Sequence, residues 1–169
     1  QPFQQKCLFK VLIYISLCWG LMMELRCVGM IKKGGDTYSD FFAFALPCIL
    51  IFSIWINDTM AYIVGSIIGK TPFSKISPKK TWEGTFGGAI LAVLVVGLVA
   101  RSLDMDYMQA SIIALIASVS GTAGDLFESK LKRLAGVKDS GNLMPGHGGF
   151  LDRFDSLLFS SPLIYLYLT

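Results

Sequence analysis

The sequence predicts an all-α fold, a polytopic integral membrane helix bundle with about five spans in this chain. Three observations carry that reading. Mean hydropathy is +0.59. Of 169 residues, 53% are hydrophobic and only 16% are charged. The apolar runs are long enough to cross a bilayer, which takes about 20 residues, and they lack the period-two alternation of strands. The net charge of +3 lies on no continuous basic stripe with interleaved aromatics, so no nucleic-acid partner is expected. One histidine and four cysteines with no CxxC pair do not compose a zinc cluster. Cys7, Cys18, Cys27 and Cys48 read as small buried hydrophobes, with disulfides the lesser alternative.

The first span runs from about Leu8 to Met23, where Glu24 and Arg26 end the apolar stretch. The second starts near Phe41 and continues to about Ile68, long enough for tilt, a kink at Pro47 or a polar midsection. The third covers about Thr85 to Ala100 and the fourth about Tyr107 to Leu126. The fifth begins near Asp152 and reaches the end of the chain. No internal repeat divides residues 1–169, which read as a single membrane domain. A start at Gln1 and an end inside an apolar run suggest the C-terminal part of a longer chain.

Lysines and arginines set the topology. The loop "KTPFSKISPKKTWEG" carries four lysines against one glutamate. Lys130, Lys132, Arg133, Lys138 and Arg153 follow in the 127–153 segment, read as a second loop on the same side. The basic side is expected to be cytoplasmic, with residues 24–40 on the other side.

Three polar groups interrupt the spans. In "WINDTMAYIVG", Asn57 and Asp58 fall roughly 16 Å inside the second span at 1.5 Å per residue. A carboxylate at that depth costs several kcal/mol unless it is paired or hydrated. Asp58, Ala61, Tyr62 and Gly65 share one helical face, so another helix or a ligand can come close to the aspartate. In "SVSGTAGDLFESKLKR", Asp125 and Glu128 are neighbours on one face, with Ser129, Lys132 and Arg133 within two turns. In "KDSGNLMPGHGGFLDRFDS", Asp152 and Asp155 open the fifth span. Gly146, Gly148 and Gly149 precede them and let backbone approach a ligand.

Hard oxygen donors drawn from several helices, without a cysteine or histidine cluster, suit Mg²⁺. Lys70, Lys75, Lys79, Lys80, Lys132, Arg133, Lys138 and Arg153 would hold phosphates beside it. Carboxylates and cations converging at a membrane face fit phosphoryl or nucleotidyl transfer. "GSIIGKTPFS" contains Gly-Lys-Thr, but Gly65 and Gly69 are spaced too closely for a phosphate-binding loop of the Walker type.

"SKLKRLAGVKDSGNLMPGHGGFLDRFD", residues 129–155, resembles the signature of the phosphatidate cytidylyltransferase (CDP-diacylglycerol synthase) family. Ser129, Lys132, Arg133, Lys138, Asp139, Gly141, Pro145, His147, Gly148, Gly149, Asp152, Arg153 and Asp155 carry the match, and Met144 is a conservative departure. "NDTMAY" and "GKTPFSKISPKKTWEG" resemble the family's upstream polar motifs, in the expected order. The resemblance makes about residues 50–169 the catalytic region.

It implies a reaction of CTP with phosphatidic acid that gives CDP-diacylglycerol and pyrophosphate. It also implies Mg²⁺, with a second cation such as K⁺. Asp125 and Asp152 are assigned to the metals, and Asp58, Glu128 and Asp155 are further candidates around them. Lys132, Arg133 and Lys138 join Asp125 and Asp152 as catalytic candidates. Lys79, Lys80, Ser77, His147, Gly148, Gly149 and Arg153 form the substrate-binding set. The lipid phosphate is already anionic, so no strong general base is needed. The carboxylates of Asp125 and Asp152 are expected within about 6 Å of each other, at the bottom of a polar funnel.

The partners implied are CTP, phosphatidic acid and the bilayer, and a homodimer is one assembly the sequence allows. The expected location is a bacterial inner membrane with the site facing the cytoplasm. The alternatives are an ion-coupled membrane transporter, which midplane aspartates would also suit, and a related cytidylyltransferase or kinase acting on another lipid.

Overall fold

The computed structural model describes residues 2–31, 40–74, 77, 80–134, 136 and 151–169. Side chains are described for residues 13–28, 44–74, 77, 80–134, 136 and 154–169 among them. These residues form five helices: α1 (Pro2–Ile31), α2 (Asp40–Ile68), α3 (Trp82–Ser102), α4 (Tyr107–Leu134) and α5 (Leu151–Leu168). An isolated antiparallel bridge between Pro72 and Thr81 is the one β feature among the described residues. The all-α membrane bundle read from the sequence is therefore the observed architecture.

Three described helical segments are long and apolar enough to cross a membrane: Phe44–Ile68, Trp82–Ser102 and Tyr107–Leu134. The apolar part of α5, Phe154–Leu168, is shorter. Pro47 lies inside α2, which continues through it.

Helices α1 and α4 extend beyond the bounds read from the sequence, and α1 already starts at Pro2. Helix α1 continues to Ile31, so Glu24 and Arg26 lie within it rather than beyond it. Helix α4 continues to Leu134, so Lys130, Lys132 and Arg133 ride on a helix and not in a loop. Cations in a last turn are favourable to the helix dipole, so charge alone is a poor marker of the helix end. The helix stops where Gly136 takes φ +71° and its amide donates to the Arg133 carbonyl at 3.1 Å.

Helix α2 packs on α3, α3 on α4, α4 on α5, and α1 against α2 and α5, while α2 also touches α4. Leu25, Leu46, Leu50, Ile54, Ile113 and Ile164 anchor the core between α1, α2, α4 and α5. Cys18 is buried on the Leu25 face of α1, but Cys27 points away from that face and is exposed. The expectation of burial thus fails for Cys27.

Helix α3 is divided lengthwise. Gly84, Gly88, Ala92 and Val96, four apart, are buried. Phe86, Ile90, Leu94 and Leu98 form an exposed apolar stripe. Small residues let the backbones approach, and the large residues face lipid. A Cβ placed on Gly88 would lie 2.7 Å from the Asn57 carbonyl oxygen and 2.8 Å from the Ala61 amide nitrogen. One placed on Gly84 would lie 2.6 Å from the Ala61 carbonyl oxygen. Glycine is needed here for proximity.

Buried serines join α4 to α5 and α5 to α1. Ser120 and Ser160 share a hydrogen bond of 2.8 Å, and Ser161 donates to the Cys18 carbonyl at 3.1 Å. In a bilayer interior these hydroxyls need partners within the protein.

Candidate active site

A cavity of about 710 Å³ opens where α2, α3 and α4 meet the 69–81 connection. From α2 it takes Asn57, Asp58, Ala61, Tyr62, Gly65 and Ser66. Their spacing is the helical face anticipated around Asp58; α3 packs on its Asn57–Ala61–Gly65 edge, while Asp58, Tyr62 and Ser66 are exposed. The connection contributes Ser77, Lys80 and Thr81, α3 adds Thr85, and α4 adds Thr122 and Asp125.

The connection is tied down at both ends. Helix α3 is capped by Thr81, whose hydroxyl accepts from the Gly84 amide at 3.2 Å. The Trp82 amide donates to the Thr71 carbonyl at 3.0 Å, and the Phe73 amide to the Lys80 carbonyl at 2.7 Å. Glu83, in the first turn of α3, accepts from the Thr71 hydroxyl at 2.8 Å. It also accepts from the Thr71 amide at 3.2 Å and the Lys70 amide at 3.3 Å.

This arrangement directs Lys80 across the cavity into a close ion pair with Asp125, both side chains about one-third exposed. Asp58 lies within electrostatic reach of Lys80, Asp125 and Asp155. Asp155 lies in turn against Glu128, and Lys132 reaches Glu128 at 3.5 Å. Among the described residues, the carboxylates of Asp58, Asp125, Glu128 and Asp155 and the ammonium groups of Lys80 and Lys132 are the charged groups of this cluster.

Asn57 is 2% exposed. Its amide group donates to Asp58 Oδ1 at 3.3 Å, while its own Oδ1 is buried with no hydrogen-bond partner. A buried acceptor left without a donor, beside the Asp58 carboxylate, has the chemistry of a hard-cation ligand. Among the described residues, no three His, Cys, Asp or Glu side chains form a group able to enclose a metal.

The structure thus brings Asp58, Ser77, Lys80 and Asp125 to one cavity, with Glu128 and Asp155 beside it and Lys132 on Glu128. Arg133 is exposed near the end of α4 and does not line the cavity. Asp152 and Arg153 lie in the first turn of α5, but their side chains fall outside the described residues. The same holds for Lys79, Lys138, His147, Gly148 and Gly149 in full, so the expected 6 Å approach of Asp125 to Asp152 falls there too. The sequence reading does not assign Asn57, Thr81, Thr85 or Thr122 to the site. The four-residue spacing of Thr81 and Thr85 and the position of Thr122 one turn before Asp125 are the available signals.

The profile of the Cytidylyltransferase family matches residues 4–169. The chain is 43% identical over 159 residues to a phosphatidate cytidylyltransferase of Bacillus subtilis (strain 168), covering 92% of this chain and 55% of that protein. It is 47% identical over 119 residues to the phosphatidate cytidylyltransferase of Aquifex aeolicus (strain VF5), covering 70% of this chain and 45% of the relative. The corresponding protein of Synechocystis sp. is 47% identical over 125 residues, covering 72% and 43%. The chain spans about half the length of these relatives.

Proposed function

This chain belongs to the cytidylyltransferase family, and from that premise we propose that it transfers the cytidylyl group of CTP to phosphatidic acid. The products are CDP-diacylglycerol, a phospholipid precursor, and pyrophosphate. The observation that carries the reading is the cavity itself. Asp58, Lys80 and Asp125 come from three separate segments and meet in one space.

In the proposed reaction, a phosphate oxygen of phosphatidic acid attacks the α-phosphorus of CTP. The bond from that phosphorus to the oxygen bridging toward the β-phosphorus breaks, and pyrophosphate leaves with the electron pair. The nucleophile is already an anion, so no proton has to be removed. The protein's contribution is alignment and charge compensation.

Lys80 is placed to meet a phosphate once Asp125 is otherwise neutralised, since its ammonium already spans the cavity. Ser77, Thr81, Thr85 and Thr122 offer hydroxyl groups around the same space. The carboxylates of Asp58 and Asp125 and the orphaned Asn57 Oδ1 fit a hard divalent cation. Asp125 and Asp58 would hold Mg²⁺, with Asp152 from the α5 end. The ion supplies Lewis-acid neutralisation of phosphate oxygens. A second cation such as K⁺ would sit beside Glu128 and Asp155. Lys79, Lys132, Arg133, Lys138, His147 and Arg153 are proposed for phosphates and for the glycine segment around Gly148 and Gly149.

Phosphatidic acid would enter sideways from the bilayer. Removing its acyl chains to water costs about 0.8 kcal/mol per CH₂. Tyr62, 77% exposed on the cavity rim, supports a lateral opening in α2. CTP would enter from the side bearing Lys80, Lys130, Lys132 and Arg133, read as the cytoplasm of a bacterial inner membrane. A homodimer is the assembly proposed for such chains.

The test is transfer of labelled CTP into organic-extractable lipid, with phosphatidic acid and with or without Mg²⁺. Label in the lipid phase, with stoichiometric pyrophosphate, is expected only when all three are present. Metal-dependent release of pyrophosphate without labelled lipid would overturn the choice of acceptor. No reaction of CTP in the full chain would overturn the reading.

A further inference from the structure

We propose that Glu83 is a positioning residue, whose carboxylate fastens the start of the 69–81 connection to α3 and so holds Lys80 over Asp125. The inference rests on the proposed transfer reaction for its kinetic consequence, but its geometry stands apart from that reaction.

Glu83 does not line the cavity. Acidic residues in a first helical turn commonly serve their own helix. Here the N-cap bond to Gly84 already comes from Thr81. The Glu83 carboxylate takes a hydrogen bond from its own backbone amide, and its oxygens also reach back across the connection to Lys70 and Thr71. Thr71 is then gripped at three atoms: its amide and hydroxyl by Glu83, and its carbonyl by the Trp82 amide. Two residues on, the Phe73 amide binds the Lys80 carbonyl at 2.7 Å. Lys80 therefore hangs from a closed frame with Thr71 at one corner and Glu83 at the other. If Glu83 lets go, the incoming arm keeps a single bond to α3, from the Trp82 amide to the Thr71 carbonyl. The Lys80 main chain is then fixed to an arm held at fewer points.

A role confined to general stability would depress all kinetic constants together. A positioning role acts on the constants that depend on Lys80. In the full chain, Glu83→Ala is expected to raise the apparent KM for CTP about tenfold, with the KM for phosphatidic acid unchanged. Glu83→Gln, which keeps one acceptor, should recover most of that loss. Thr71→Val should give a partial effect that does not add to that of Glu83→Ala, because both remove the same bond.

A second readout needs no activity. Lys80 is 30% exposed, so a thiol placed there by Lys80→Cys is reachable by a charged methanethiosulfonate. Adding Glu83→Ala should change its labelling rate about tenfold, while the melting temperature stays within a few degrees.

Equal shifts in both KM values with an unchanged labelling rate would overturn the proposal. A changed labelling rate in a chain that never transfers cytidylyl groups would uphold the positioning and refute the reaction. If Glu83→Ala does not fold, Glu83→Gln and Thr71→Val carry the same comparison.

Discussion

Substituting Gly88 with alanine adds one carbon at the tightest approach of α2 and α3. That carbon would sit 2.7 Å from the Asn57 carbonyl oxygen, 2.8 Å from the Ala61 Cβ and 2.8 Å from the Ala61 amide nitrogen. Two of the three atoms are backbone, so no side-chain rotation relieves the clash. Ordinary contact begins at 3.4 Å, so α2 must retreat by roughly 0.7 Å along its Asn57–Ala61 turn. Overpacking of this kind costs about 1–3 kcal/mol. The displaced turn carries Asp58 into the cavity, opposite Lys80 and Asp125. A misplacement of about 1 Å in a catalytic constellation can cost on the order of 100-fold in rate. Gly88→Ala should therefore lower cytidylyl transfer at least about tenfold and lower the melting temperature in detergent by several degrees. Gly20→Ala is the control. Nothing lies within 4 Å of a Cβ at Gly20, and alanine there should be neutral or stabilising by about 0.5–1 kcal/mol. The two assays are lipid-extractable label and thermal unfolding. If Gly88→Ala keeps more than half of wild-type transfer, the α2–α3 contact does not set the site geometry and the reasoning fails.

Asp125→Asn and Asp152→Asn should each lose activity by orders of magnitude in the transfer assay while still inserting and folding. Retention above roughly a tenth, about 1.4 kcal/mol of ΔΔG‡, would remove that residue from the metal site. Neutralising Lys79 and Lys80 together should raise the apparent KM for CTP more than that for lipid in steady-state kinetics, whereas equal effects or inverted insertion would leave them as topological anchors. Ser120→Ala and Ser160→Ala should show a coupling energy of about 0.6 kcal/mol, and no more than about 1.7, in a double-mutant cycle of unfolding in mixed micelles.

Most of the fold is legible in the sequence because lipid leaves few options. A long apolar run must be a helix, and its 3.6-residue period shows which residues share a face. That is why spacing alone groups Asp58, Ala61, Tyr62 and Gly65, and why they lie together on the cavity. The ion pair of Lys80 with Asp125 has no such signal, because no periodicity links a connecting segment to a helix two elements away. In the sequence, Asn57 is only a polar neighbour of Asp58. What sets it apart is the absence of a donor to Oδ1, a property of packing. Glu83 is one acid among lysines until the returning arm brings Lys70 and Thr71 onto it. The end of α4 is hard to read because Lys130, Lys132 and Arg133 suit a loop and a helix C-terminus equally well.

The bond between Lys80 and Asp125 makes this a cavity born with its own counter-ion. A bundle whose acids were left bare would oppose its own assembly in the bilayer, and it would need an ion at hand before the helices could close. Here a tethered ammonium does that service from within the chain. The same tether makes the ammonium a standing competitor. Its effective concentration at Asp125 is roughly millimolar or higher, so any cation that takes its place meets an intramolecular rival. Displacement also sets a positive charge loose in the space a polyphosphate would enter. In the proposed reaction, arrival of the metal ion and recruitment of the polyphosphate would be two halves of one exchange, each easier when the other has occurred.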